Sequence, residues 1–189
     1  MPGRIIIISG PSQVGKDAVV KELLKRPALN LARIITVTTR EQRPEEVDGI
    51  DHYFVDNKEF DARVARGEFL EWAPVRNRKF ATPRQAVETA LRGGRNVLLK
   101  IDVRGAEQVM DMYADAVRIF IEPDSLESIR RRMVEKGFSD EQLNVRWHEA
   151  MEELKAAHDY DYRVVNREGK LNETVEKITE VILHLPPKG

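Results

Sequence analysis

Apolar positions along the chain follow two rhythms, one continuous or alternating and one spaced by three or four. Residues 4–9 (RIIIIS) form an unbroken apolar run of the kind that is buried on both faces of a sheet. Residues 33–39 (RIITVTT) are β-branched and predict a second strand. Residues 96–102, 117–122 and 162–166 predict three more. Helical spacing marks 18–25, 57–67 and 83–93. In the second of these Phe60 and Val64 stand four apart and Gly67 is a stop signal. The third has Pro at its start and Gly at its end. Longer helices are expected at about 125–136, 140–158 and 172–185, with a frayed tail at 186–189.

Strands alternating with helices predict an α/β fold, a parallel sheet with helices on both faces. Residues from about 40 to 81 break the rhythm, being charged and poor in apolar runs. They read as an insertion over the carboxyl edge of the sheet, where ligands bind in open α/β folds. The 189 residues suit one domain. Lys and Arg number 31 against 32 Asp and Glu, a net charge of −1, which argues against a nucleic-acid-coating protein. Cysteine is absent, which excludes thiol catalysis, disulfides and cysteine-bound metals. The four histidines show no metal-ligand spacing. The early apolar run spans Ile5 to Ile8, far short of the ~20 residues of a membrane span, so a cytoplasmic protein is expected.

The sharpest motif is Gly10-Pro11-Ser12-Gln13-Val14-Gly15-Lys16-Asp17, placed after a buried strand and before a helix. That is the context of a phosphate-binding loop: glycines let backbone N–H groups turn inward, the helix start adds partial positive charge and Lys16 a full one. An ordinary glycine-rich turn is the plainer alternative, and the G-x-x-x-x-G-K spacing argues against it. The hydroxyl that usually follows the lysine to hold Mg²⁺ is missing; Asp17 and Ala18 stand there. Asp17 either offers a carboxylate to the metal or is a helix-start acid favoured by the dipole.

The loop, the segment 35–55 (ITVTTREQRPEEVDGIDHYFV), the segment 69–75 (FLEWAPV) and the segment 99–106 (LKIDVRGA) occur in an order that resembles the guanylate kinase family. The resemblance runs from about residue 4 to 183, and Asp-Ala after the lysine is similar to a bacterial and plant-organelle subgroup. It implies a P-loop nucleoside monophosphate kinase fold: a five-stranded parallel core sheet flanked by helices, a GMP-binding α+β insertion (about 40–82) and a helical lid (about 134–157). The core would take about 1–39, 83–133 and 158–189.

The implied reaction is phosphoryl transfer from ATP to GMP, with Mg²⁺ accompanying ATP and use of dGMP left open. Arg40 and Arg43 would fork a monophosphate, since guanidinium groups bind phosphate bidentately, with Thr36 adding a hydroxyl. By resemblance Glu71 accepts from the two adjacent donors of guanine, and Asp102 contacts guanine or orders water near the metal. Simple surface and helix-cap roles are the alternatives for these two acids. His52 stands where the family has a phosphate-binding tyrosine. Strand alternation turns Tyr53 away, so His52 is favoured as the replacement. Lys79-Phe80-Ala81-Thr82 replaces another tyrosine motif; Thr82 keeps a hydroxyl and Lys79 adds a cation. Gln13 replaces a loop glycine.

Arg132, of the run Arg130 to Arg132, is implied to lie along adenine. Arg146 is implied to reach the transferring phosphoryl group, with Lys136 in the lid where relatives carry arginine. Solvated helix faces are the alternatives for Arg146 and Lys136. Lys16, Arg40, Arg43, Arg146 and Mg²⁺ would supply the positive charge that phosphoryl transfer needs. The expected partners are ATP and GMP, with no nucleic acid and no membrane; a monomer and a homodimer are both compatible. Two other readings stay open: a related P-loop kinase such as a ribose 1,5-bisphosphate phosphokinase, and a non-catalytic guanylate kinase-like binding module.

Overall fold

The four isoleucines at 5–8 divide their side chains between two cores. The computed structural model describes residues 3–75 and 77–186. Strand β1 (Ile5–Ser9) is buried along its whole length. Ile6 and Ile8 enter the core on one face, Ile5 and Ile7 the core on the other, as the period-two pleat requires. Strands β7 (Asn96–Lys100) and β8 (Val117–Pro123) are divided in the same way. Leu98, Ile119 and Ile121 face one core, and Val97, Leu99 and Phe120 the other. With β2 (Leu31–Arg33) and β9 (Tyr162–Asn166) they form a parallel sheet in the order β2-β7-β1-β8-β9.

Helices α1 (Lys16–Leu24) and α7 (Leu171–Leu183) seal the first face through Val19, Leu23, Val175, Ile178 and Ile182. Helices α3 (Arg84–Arg92) and α4 (Val103–Met112) seal the second through Val87, Leu91, Ala106 and Val109. Both faces are therefore apolar, which is why the core strands read as continuous hydrophobic runs.

A second sheet stands beside the first. It holds β3 (Thr36–Thr38), β4 (His52–Phe54), β5 (Phe69–Val75) and β6 (Arg78–Pro83) in the order β4-β3-β6-β5. Helix α2 (Asn57–Ala65), capped by Asp56, packs Phe60 with Val37, Phe69 and Ala81 into a small separate core. Helices α5 (Leu126–Glu135) and α6 (Asp140–Lys155) close on Ile129, Met133 and Ala150, with Phe138 and Trp147 alongside. Ser139 and Gln142 form a capping box that fixes the start of α6.

Several expectations are corrected. The single strand expected at 33–39 is two strands in two sheets. The chain leaves the core after Arg33, Ile34 packs against the core, and pairing resumes at Thr36 with β4 and β6. The second sheet therefore takes in residues ahead of Arg40. The strand expected to reach 102 stops at Lys100, because Asp102 caps α4. The helix expected to reach 158 ends at Lys155 and continues as a 3-10 turn, Ala156–Asp159. Pro83 ends β6 and caps α3 from outside rather than opening the helix. Residues 187–189 of the expected tail lie outside the described residues.

Candidate active site

The glycine-rich loop leaves β1 at Gly10 and enters α1 at Lys16. Gly15 has φ 101°, and a side chain there would meet the Asn166 amide at 2.6 Å. Asn166 itself donates to Val14 O at 2.7 Å, tying the end of β9 to the loop. Lys16 Nζ folds back on the loop, donating to the carbonyls of Gly10 and Pro11 (3.0 Å to the latter). Burial lowers the pKa of Lys16, and the Glu153 carboxylate opposes that shift. Arg132 Nη1 donates to Gln13 O at 3.1 Å, which joins α5 to the loop. Asp17 is exposed and paired with Lys100, and both lie within the field of Lys16.

Glu153, on α6, was not singled out by the sequence. Its carboxylate lies against the Ser12 backbone N–H within the field of Lys16, and burial raises its pKa. Its Oε2 is buried with no hydrogen-bond partner among the described residues.

Across the cleft, Arg40 is 8% exposed. Its guanidinium donates to Glu46 Oε1 (2.6 Å), Glu46 Oε2 (2.8 Å) and Glu41 O (2.7 Å). The Arg43 backbone N–H donates to the same Glu46 carboxylate at 3.0 Å, while the residue stays exposed. The bond from Arg40 and that from Arg43 hold the Glu46 carboxyl down at about 2. His52 Nδ1 shares a hydrogen bond with Thr36 Oγ1 at 2.7 Å, and its ring meets the edges of Phe54 and Phe80. Burial first, and then the nearby Arg40, lower its pKa. Tyr53 points the other way and is 42% exposed. Lys79 does not enter the cradle: it pairs with Asp61 of α2 at 2.5 Å over the Phe60 ring.

Glu71, on β5, is 5% exposed. Thr82 on the paired strand β6 donates to its Oε1 at 2.5 Å. Burial pushes the Glu71 carboxyl up to about 7, Thr82 works against that, and the Asp102 charge adds to it. Asp102 caps α4 by accepting from Gly105 N–H at 2.8 Å. It lies within the electrostatic reach of Glu71 on one side and of Lys16 and Glu153 on the other. This follows from topology: β7 pairs with β1, so the residue just past β7 sits beside the loop that leaves β1. Gln108 on α4 clasps both the N–H and the C=O of Trp72 (3.1 and 2.8 Å), fastening the edge strand of the second sheet to the core.

In the lid, the Arg146 guanidinium stacks over the Phe138 ring at 3.6 Å from its centroid. Arg131 pairs with Glu168 and Lys136 is exposed. The structure thus gathers Lys16, Arg132 and the loop on one wall and Arg40, His52, Thr36, Glu71 and Thr82 on the other, with Asp102 between. Glu46, Glu153, Asn166, Gly105 and Gln108 were missed. Glu46 and Gly105 lie inside the quoted segments, and their proximity to Arg40 and Glu71 appears only in three dimensions.

Comparison with known proteins places the whole chain in one family. The family model for guanylate kinase matches residues 2–185. The chain is 39% identical over 183 residues to a guanylate kinase of Thermotoga maritima, covering 96% of this chain and 87% of that protein. It is 42% identical over 166 residues to a guanylate kinase of Symbiobacterium thermophilum, covering 87% and 78%. The crystal structure of guanylate kinase from Anaplasma phagocytophilum superposes with a TM-score of 0.79 at 33% identity, covering 96% of this chain and 85% of that one.

Proposed function

The chain belongs to the guanylate kinase family, and from that premise we infer that it transfers the γ-phosphoryl group of ATP to GMP, giving ADP and GDP. The observation that carries the substrate choice is the buried Glu71–Thr82 pair. A carboxylate this buried, met only by the hydroxyl and backbone N–H of Thr82, calls for further donors. Guanine presents two side by side, N1–H and the 2-amino group, and adenine does not. A sugar bisphosphate offers hydroxyls but no planar, parallel pair of N–H donors, and a binding module has no use for Lys16 and Arg146 in addition.

The residue roles follow from the two walls. The loop from Gly10 to Asp17, with Ser12, Gln13, Val14 and Gly15 turned around Lys16, cradles the ATP phosphates, and Arg132 lies along the adenine. Arg40, Arg43, Thr36 and His52 hold the GMP phosphate; Glu71, Thr82 and Asp102 hold its base. Arg146 leaves the Phe138 ring as the lid (about 134–157) closes, and brings positive charge to the transferring group. No base on the enzyme is needed, because the attacking phosphate oxygen is already anionic. Closure of the lid and of the insertion expels water, so that GMP rather than water is the acceptor.

Mg²⁺ enters with ATP. Among the described residues no cluster of three or more His, Asp or Glu could hold a metal alone. Mg²⁺ carried on nucleotide phosphates needs only one or two carboxylates, with water between. The orphaned Glu153 Oε2 and the adjacent Asp102 fit that demand better than Asp17, which Lys100 engages. When bound, the ion neutralises charge on the phosphates. No helix among the described residues is long and apolar enough to cross a membrane. The cytoplasm, where both substrates occur, is the compartment we assign.

Calorimetric titration of GMP and AMP into the unliganded protein tests the substrate choice. GMP binding at least ~100-fold tighter than AMP is expected, the discrimination typical of a site that leaves polar groups unpaired with the wrong ligand. Equal binding overturns the assignment of Glu71.

A further inference from the structure

Gly105 lies in the first turn of α4, with its N–H bonded to the Asp102 cap. Its φ lies outside the positive range, so the backbone itself would accept alanine. The space would not. A Cβ at this position falls 2.7 Å from Glu71 Oε2, 3.3 Å from Glu71 Cδ and 3.3 Å from the Cβ of Ile101. The Glu71 carboxylate cannot simply step aside, because it is buried and its other oxygen is fixed by Thr82 at 2.5 Å. One oxygen is thus set by a hydroxyl from β6, and the other by the missing side chain on α4.

We propose that Gly105 is a specificity-determining position: its lack of a side chain lets the Glu71 carboxylate seat between Thr82 and α4 in the orientation that accepts the two adjacent donors of guanine. Gly105 touches no substrate. It acts through Glu71, and the proposal rests on the reading that Glu71 recognises the base. The small residue is required here by the approach of a side chain from another element, since the helix could carry alanine and would favour it. Asp102 fixes the turn that brings Gly105 to this place, so cap and seat form one device.

The test is a double-mutant cycle read in steady-state kinetics, with KM for GMP and KM for ATP measured separately in the full-length protein. Gly105→Ala is expected to raise KM for GMP at least about tenfold, the usual loss of a hydrogen bond to a charged group, and to leave KM for ATP within about twofold. In a Glu71→Ala background, where no carboxylate remains to be displaced, Gly105→Ala is expected to change KM for GMP by less than about twofold. If Gly105→Ala alone does not fold, folding of the Gly105→Ala/Glu71→Ala protein supports the proposal, because it locates the conflict at the carboxylate. Unchanged KM for GMP in Gly105→Ala, additive effects in the cycle, or failure of both proteins to fold overturns it. The underlying reading fails separately, if Glu71→Ala alone leaves the preference for GMP over AMP intact.

Discussion

Arg40 grips Glu46 with two hydrogen bonds of 2.6 and 2.8 Å, so the cradle expected to hold a phosphate already contains an anion. Both bonds to Glu46 come from Nη2, and Nη1 donates to the carbonyl of Glu41. The guanidinium is thus held in a fixed direction, and Glu46 is therefore a positioning residue for Arg40. Glu46→Gln should raise KM for GMP about tenfold while leaving KM for ATP unchanged. The folded-state pKa of Glu46 is depressed, so the pair adds stability above the ordinary carboxyl range and loses it as pH falls from 4.5 toward about 2. Acid denaturation of Glu46→Gln should show a flatter limb in that window; an unchanged limb argues against the pair.

Glu71 has the opposite sign. Its folded-state carboxyl titrates at about 7 against 4.5, because burial disfavours the charge. The associated stability is fully present below pH 4.5 and is lost as pH rises through about 7. The unliganded protein should lose up to about 3 kcal/mol across that window from this group. Glu71→Gln should abolish that loss in denaturant titrations at pH 5 and pH 8.

The same titration bears on binding. Guanine needs an ionised acceptor, so GMP should bind more weakly at pH 6 than at pH 8 and should release a proton on binding at pH 7. Calorimetry in buffers of different ionisation enthalpy reads that proton, and the same titration of Glu71→Gln separates it from the proton released by the GMP phosphate, whose second pKa is ~6. Its absence would mean that Glu71 is already ionised in the empty site.

The core was legible because both faces of its sheet are apolar, so Ile5–Ile8 and Val117–Glu122 could be nothing but buried strands. The second sheet was not, because β3 and β4 have only three residues each, all its strands are partly exposed, and the one at 36–38 runs on without a break from Arg33. The loop, Arg40, His52 and Glu71 were singled out from motif order, and the structure lines them along one cleft. Glu46 was not, since an acid in a charged loop carries no pattern. A turn from Arg43 to Glu46 brings it back to Arg40, and that is a fact of three dimensions. Gly105 was hidden for a different reason: one glycine in a helical stretch reads as a small cost, and only the approach of Glu71 shows its use. Lys79 misled because a cation beside a lost phenol suggested replacement, whereas Asp61 on the preceding helix α2 captures it.

Arg146 stacks on Phe138 within the lid, and its proposed role is on the transferring phosphoryl group rather than on bound GMP. Arg146→Lys should therefore lower kcat at least about 100-fold, as loss of a transition-state arginine does, with KM for GMP nearly unchanged. A rise in KM without a fall in kcat would place it in ground-state binding instead.

Gln13 adopts φ 67° in the phosphate loop, a left-handed conformation that costs a side-chain-bearing residue about 1–2 kcal/mol. Gln13→Gly should leave stability unchanged or raise it by up to about 1 kcal/mol, the relief being partly offset by backbone entropy. Gln13→Val should lower it by at least about 1 kcal/mol and weaken ATP binding, since Arg132 is anchored on the Gln13 carbonyl. Chemical denaturation midpoints and ATP titration check both.

The most direct measurement is ADP formation from ATP and Mg²⁺ with GMP, AMP, CMP, UMP and ribose 1,5-bisphosphate offered one at a time. Turnover with GMP, and little with the other four, is the predicted result. Preferential turnover of ribose 1,5-bisphosphate, or none with any acceptor from protein shown to be folded, would contradict the account.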